Sequence, residues 1–237
     1  MNHPPTDTQA HITEIFSSLQ GEGTHVGEPH LFIRFEECHM HCVYCDELDK
    51  VGRSMALEEV MQTVKNIEAK EGPHTYVSLT GGEPLFYLPF LKPLMMRLKQ
   101  ENFKNYLETS GVLWKPLEEV IDLCDVLAMD MKPASVTHER NFFEEHRKFL
   151  KIAIQKETFI KIVISKEILI EEFDQLVAII RETDRNIPLV LQPLSAAMEG
   201  HEDPVLMDLM RSLQRRALNV LTQVSLVPRL HKILKIR

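Results

Sequence analysis

The sequence predicts an α/β fold: a full or partial TIM-type (β/α) barrel of about six parallel strands, with the active site at the C-terminal strand ends. Three observations predict it. Short apolar runs alternate with segments of helical spacing along most of the 237 residues, and such alternation implies right-handed βαβ units and a parallel sheet. The chemistry-bearing residues fall just after the strands, at six equivalent ends. A doubly wound sheet would gather only those near its switch point, whereas a barrel gathers them all on one face.

The elements follow in order. Residues 11–16 add an extra strand ahead of the series. Residues 31–36 are a short apolar run of β pattern, and 55–70 carry helical spacing. Residues 75–79 read as a strand, 88–100 as a helix, 105–108 as a weak strand and 116–123 as a short helix. Residues 126–131 are a strand and 138–150 a helix. The strongest strand is 159–164, with Phe159, Ile160, Ile162, Val163 and Ile164 in six positions. In the helix 170–181, Ile170, Phe173, Leu176, Val177 and Ile180 form one stripe. Residues 188–192 are a strand, 203–216 a helix with Pro204 in its first turn, and 220–226 the last strand. Nothing reads as a linker or a repeat, so residues 1–237 form one domain with a short N-terminal extension, 1–12.

Composition narrows the function classes. At 44% hydrophobic and 26% charged the chain is an ordinary globular protein. No apolar run approaches the ~20 residues that span a bilayer, and the N-terminus lacks the basic and apolar regions of a secretory signal. A cytoplasmic location, where thiols stay reduced, is expected, with no membrane partner. The net charge of −8 argues against a broad nucleic-acid-binding face. The basic end, with Arg229, His231, Lys232, Lys235 and Arg237, reads as a solvated tail or helix end.

Three of the four cysteines, Cys38, Cys42 and Cys45, stand in a C-x3-C-x2-C loop after the first strand of the series. Three thiolates can hold three corners of a 4Fe-4S cube and leave the fourth iron open for a small molecule. Cluster-binding electron carriers use four cysteines, and structural zinc wants four ligands. A zinc site completed by His39 or His41 is the alternative, and three unrelated buried thiols another. After the next strand comes Gly81-Gly82-Glu83-Pro84. Its glycines let backbone approach a ligand closely, and Glu83 could take an ammonium; a plain turn is the other reading. Arg34 is a cation in an apolar strand, suited to bidentate carboxylate binding. Cys124 reads as a small core residue.

These residues carry a family resemblance. The cysteine loop with Tyr44 before its last cysteine, and the Gly-Gly-Glu-Pro segment, resemble the radical S-adenosylmethionine (SAM) superfamily. Ser18-Leu19-Gln20-Gly21-Glu22-Gly23, Phe32-Ile33-Arg34, Glu108-Thr109-Ser110-Gly111, Asp130-Met131-Lys132-Pro133 and the terminal Pro228-Arg229-Leu230-His231-Lys232 narrow it to the 7-carboxy-7-deazaguanine synthase family. The resemblance covers residues 13 to 233 or so.

The resemblance implies a 4Fe-4S cluster on Cys38, Cys42 and Cys45, with SAM on the open iron. It assigns Tyr44, Cys45, Asp46, Gly82, Glu83, Asp130, Met131, Lys132, Gln192, Pro193, Leu194 and Ser195 to SAM. Leu19, Gln20, Gly21, Glu22, Arg34 and Thr80 go to a pterin substrate, 6-carboxy-5,6,7,8-tetrahydropterin. The implied reaction is reductive cleavage of SAM, hydrogen abstraction from the substrate's C6, and ring contraction with loss of ammonia. An external electron donor such as flavodoxin or ferredoxin and a homodimer are implied as well.

One departure stands out. The family has Cys-Asp-Thr or Cys-Asp-Ser here, whose hydroxyl ligates Mg2+; this chain has Cys45-Asp46-Glu47. Glu47 can ligate the metal in altered placement, point away, or fill the metal's space. Two rivals remain open: a radical SAM activase that abstracts hydrogen from a glycine of a partner protein, and a zinc-stabilised binding module.

Overall fold

A computed structural model of the chain describes residues 9–47, 50–194 and 203–236. The strands are β1 (Gln9–Leu19), β2 (Pro29–Phe35), β3 (Arg53–Ala56), β4 (Tyr76–Gly81), β5 (Lys104–Thr109), β6 (Val126–Asp130), β7 (Glu157–Ile164), β8 (Leu189–Pro193) and β9 (Val224–Leu226). The helices are α1 (Leu57–Glu71), α2 (Leu88–Gln100), α3 (Trp114–Val120), α4 (Ala134–Thr137), α5 (Phe143–Ala153), α6 (Ile170–Asp184), α7 (Pro204–Leu218) and α8 (Leu230–Leu234).

All nine strands join one sheet in the order β3-β1-β2-β4-β5-β6-β7-β8-β9. From β2 to β9 every pairing is parallel, so the parallel set has seven strands. β1 runs antiparallel between β2 and β3. Among the described residues β3 and β9 remain edges, so the barrel is partial. Side chains from β1 through β8 nevertheless line one cavity, which requires the sheet to curl around it.

Strand periodicity sorts the two faces. Leu31, Ile33 and Phe35 of β2, Val77 and Leu79 of β4, Leu127 and Met129 of β6, and Ile160, Ile162 and Ile164 of β7 are buried in the main hydrophobic core with the helices. Burying each such side chain stabilises the fold by roughly 1.5–3 kcal/mol. The residues between them, Phe32 and Arg34, Thr80, Ala128 and Asp130, Phe159 and Lys161, face the cavity. Register then decides which polar groups meet: Arg34 lies opposite Thr80 and Asp130 opposite Lys161.

The structure departs from the sequence reading in four places. The extra strand runs from Gln9, so residues 9–12 belong to the sheet rather than to an extension; residues 1–8 lie outside the described residues. Met55 is strand rather than helix, because Arg53–Ala56 pairs with β1 and α1 begins at Leu57. The helix expected over 138–150 is α5, which begins only at Phe143; residues 138–142 are not helical and follow α4, which ends where His138 adopts a left-handed backbone (φ 61°). The last strand, expected over 220–226, is only Val224–Leu226.

Candidate active site

The cysteine loop leaves the C-terminal end of β2, as the barrel geometry requires. It is anchored by Val43 N–H donating to the Thr137 carbonyl (3.1 Å) and Cys45 N–H to that of Cys42 (3.0 Å). Met40 and Cys42 pack with Val112 and Phe142 in a small apolar cluster. All three sulfur-bearing residues line the cavity, which holds about 620 Å³. His39 does not line it, and His41 is exposed. Among the described residues the cysteines do not form a set of ligand atoms within single-ion reach. Burial first, and Glu83 next, push the Cys38 thiol up to about 12; burial also raises that of Cys42.

Gly82 and Glu83 behave differently from the sequence expectation. Gly82 N–H donates to the Phe35 carbonyl and Glu83 N–H to that of Glu37, both at 2.8 Å. A β-carbon on Gly82 would collide with the Glu37 backbone. The glycine therefore lets β4 approach the start of the cysteine loop, while still lining the cavity. The Glu83 side chain is fully buried and does not line the cavity. Its carboxylate accepts from Thr109 Oγ1 (2.9 Å), Ser110 N–H (2.9 Å), Ser110 Oγ (2.6 Å) and Leu85 N–H (3.2 Å). It braces β4 against β5 and has no oxygen to spare for the ammonium of SAM. Met131 is also buried away from the cavity, in the main core.

The segment between β1 and β2 forms the cavity floor. Gln20 donates to Glu108 Oε1 through its side-chain amide (2.9 Å), and Thr80 Oγ1 donates to the other Glu108 oxygen (2.9 Å). Burial, then Glu22, raise the Glu108 carboxyl above its ordinary range. Gly23 has φ +71° and touches the Phe159 ring so closely that no β-carbon fits; the turn into the floor requires glycine there.

An alternating chain of charges crosses the cavity. Lys132 pairs with Asp130 (2.8 Å), Asp130 with Lys161 (3.4 Å), Lys161 with Glu22 (2.6 Å), Glu22 with Arg229 (2.7 Å) and Arg229 with Asp46 (3.0 Å). Burial alone would raise the Glu22 carboxyl, but Lys161 and Arg229 outweigh it and hold it well below the carboxylate range. Burial would likewise depress Lys132; Asp130 reverses that and keeps it charged.

Beside the cysteine loop, Arg34 Nε donates to Glu14 (2.9 Å), and its Nη1 lies 3.1 Å from Glu47 Oε1. Lys50 reaches the same Glu47 oxygen at 2.9 Å. Glu47 thus points into the cavity and its charge is met by two cations. The hydroxyl that would ligate Mg2+ is absent here, and of the carboxylate that replaces it Oε1 is taken by Lys50 and Arg34 while Oε2 has no partner among the described residues.

Of the residues assigned from sequence, Cys38, Cys42, Tyr44, Cys45, Asp46, Glu47, Gly82, Asp130, Lys132, Gln192, Pro193 and Leu194 line the cavity, as do Leu19, Gln20, Gly21, Glu22, Arg34 and Thr80. Ser195 lies outside the described residues. Four buried polar atoms in this lining have no hydrogen-bond partner: Tyr44 Oη, Glu47 Oε2, Asp130 Oδ1 and Gln192 Oε1. Orphaned buried polar groups of this kind call for a partner, and a polar ligand such as SAM supplies several. The cavity also holds residues given no ligand role from sequence: Glu108, Lys161, Arg229 and His231. Lys161 and Glu108 stand at strand ends, and Glu108, Arg229 and His231 belong to motifs that carry the family resemblance, but no ligand role follows from those signals; Arg229 and His231 arrive from the far end of the chain.

Comparison with known proteins agrees with this geometry. The radical SAM superfamily model matches residues 32–188. A 7-carboxy-7-deazaguanine synthase of Geobacter sulfurreducens is 32% identical, covering 94% of this chain and 96% of its own. One from Aquifex aeolicus is 29% identical, covering 96% and 94%. Among solved structures, QueE from Escherichia coli shares the fold over 94% of this chain and 95% of its own, with a TM-score of 0.62 at 22% identity. A cysteine loop at the mouth of a partial barrel, a polar cavity beneath it, and relatives matching from end to end together establish that the chain belongs to the 7-carboxy-7-deazaguanine synthase family of the radical SAM superfamily.

Proposed function

We propose that the protein converts 6-carboxy-5,6,7,8-tetrahydropterin to 7-carboxy-7-deazaguanine with loss of ammonia. The observation that carries this reading is the joining of three cavity-lining cysteines to a floor that presents Gln20, Thr80 and Glu108. A 4Fe-4S cluster on Cys38, Cys42 and Cys45 supplies, when bound, the electron that cleaves SAM and so the hydrogen-abstracting radical. The protein's own work is placement and exclusion of water.

Tyr44, Asp46, Gly82, Asp130, Lys132, Gln192, Pro193 and Leu194 surround the SAM side of the cavity in this reading. The unpartnered oxygens of Tyr44, Asp130 and Gln192 meet its polar groups. Leu19, Gln20, Gly21, Glu22, Arg34 and Thr80 serve the pterin. Glu108, braced by Gln20 and Thr80, adds the carboxylate that suits the N–H donor edge of a 2-amino-4-oxo ring. Arg34 and Lys50 are the cations for its carboxylate, at the expense of their pairing with Glu47. Phe16, Phe32 and Phe159 supply apolar wall, which keeps water from the reacting atoms.

An external electron donor such as flavodoxin or ferredoxin, a homodimer and a cytoplasmic location belong to the same reading, as does one domain over the whole chain. Among the described residues no helix is long and apolar enough to cross a membrane. The test is anaerobic incubation of the reconstituted protein with SAM, reductant and the pterin. Formation of 7-carboxy-7-deazaguanine supports the reading; SAM cleavage with labelling of a protein, and no deazapurine, would replace it by the activase.

A further inference from the structure

At the pole of the barrel opposite the cysteine loop, His25, Glu28 and His30 each offer one metal-ligand atom. These atoms lie within 4.8 Å of one another, the only such group among the described residues. None of the three lines the cavity. His25 and Glu28 belong to the segment whose other end, Gln20–Glu22 in sequence, floors the cavity, and His30 opens β2.

The local geometry is that of paired histidine ligands. His25 Nδ1 lies 3.0 Å from Glu28 Oε2. His30 Nε2 faces the same oxygen at 3.9 Å, too far for a hydrogen bond. His30 is fully buried, and its Nε2 has no other partner among the described residues. The far nitrogen of each ring is held: His25 Nε2 by Glu157 Oε1 at 2.9 Å, and His30 Nδ1 by Ser78 Oγ at 2.8 Å. Metal-ligating histidines fix their orientation through just such contacts on the other ring nitrogen. Tyr76 and Tyr106 pack against both rings, with centroids 5.0 to 5.4 Å away. Glu28 is half exposed, which leaves a path for an ion. A plain ion-pair cluster accounts for His25 between Glu28 and Glu157, but it leaves the buried His30 Nε2 with nothing to do.

We propose that His25 Nδ1, Glu28 and His30 Nε2 form a binding site for a divalent transition metal of the zinc class. Two imidazoles and one carboxylate are a proper donor set for such an ion, with water as fourth ligand. Binding displaces the proton now shared between His25 and Glu28. The ion would tie the floor segment to β2 and, through Ser78 and Glu157, to β4 and β7. Its role is structural, stiffening the floor from beneath.

The experiment is calorimetric titration of metal-stripped, cluster-loaded protein with Zn2+ under anaerobic conditions. Loading the cluster first occupies the thiols, which would otherwise compete. One Zn2+ should bind per chain. Glu28→Gln, a change at a half-exposed side chain, should weaken binding by roughly 10-fold or more, and His30→Gln should abolish it. Iron content and SAM cleavage should be unchanged in Glu28→Gln, because the side chain of residue 28 does not line the cavity and its backbone bond to Gln20 is kept. Absence of zinc uptake by the unsubstituted protein, or undiminished uptake by Glu28→Gln, overturns the proposal. Should His30→Gln fail to fold, Glu28→Gln decides alone.

Discussion

His231 lies over Gly21 so closely that its imidazole fills the space a β-carbon at position 21 would need. The contact is reinforced by Leu230 N–H donating to the Gly21 carbonyl at 2.8 Å. The terminal helix and the cavity floor are thus fitted to each other, 210 residues apart in sequence.

Gly21→Ala should therefore lift the terminal segment off the floor. The cysteine loop is anchored elsewhere, on Thr137 and the Phe142 cluster. We expect retained iron content with turnover reduced at least about tenfold, a barrier increase of ~1.4 kcal/mol. Iron analysis alongside product formation checks this.

Removing the charge at Glu22 should act on stability. Lys161 and Arg229 both depend on it inside the cavity. Glu22→Gln leaves two cations short of a partner, and breaking a buried pair in this way costs about 3–5 kcal/mol. The denaturation midpoint should fall clearly; a shift below about 1 kcal/mol would mean that Asp130 and Asp46 compensate.

Glu47→Thr should restore a response to Mg2+. The substitution returns a hydroxyl to the position and frees Lys50 and Arg34 from Glu47 Oε1. Turnover of the unsubstituted protein should be indifferent to added Mg2+, and that of the variant should rise with it. An equal response in both would show that Glu47 is not what excludes the ion.

Stability should also fall with pH through His146. Its Nδ1–H donates to the Gly111 carbonyl (3.0 Å), and its Nε2 accepts from Lys132 N–H (3.4 Å). Burial pushes its pKa down to about 4. The unfolded histidine takes its proton near 6.5, so between pH 6.5 and 4 the unfolded state binds more protons. Stability then rises with pH in that window and is lost as pH falls, by up to roughly 3 kcal/mol. Denaturation at pH 7 and pH 5 measures the slope, which His146→Gln should flatten; His30, also lowered to about 4, leaves a residual slope.

Much of this architecture was legible from periodicity. The stripe on α6 and the strongly apolar run Phe159–Ile164 of β7, broken only by Lys161, announce themselves, and the cysteine spacing marks the metal site. β3 was not legible, because Arg53-Ser54-Met55-Ala56 has no strand pattern of its own and exists as strand only where β1 offers an edge. The break between α4 and α5 falls at His138, with no glycine or proline to mark it. Glu83 illustrates the limit for site residues. Its type and place suited an ammonium, but Thr109 and Ser110 take both its oxygens, and a contact across 26 residues has no local signature. Arg229 and His231 escaped for the same reason, since only the fold brings the terminus back over the floor.

The raised thiols of Cys38 and Cys42 bear on how the enzyme is matured. A protonated sulfur is a poor nucleophile and resists oxidants. In the folded chain, burial favours the protonated form of these two sulfurs. Each must surrender a proton when metal arrives, so assembly should acidify an unbuffered solution and should quicken as the medium becomes more alkaline.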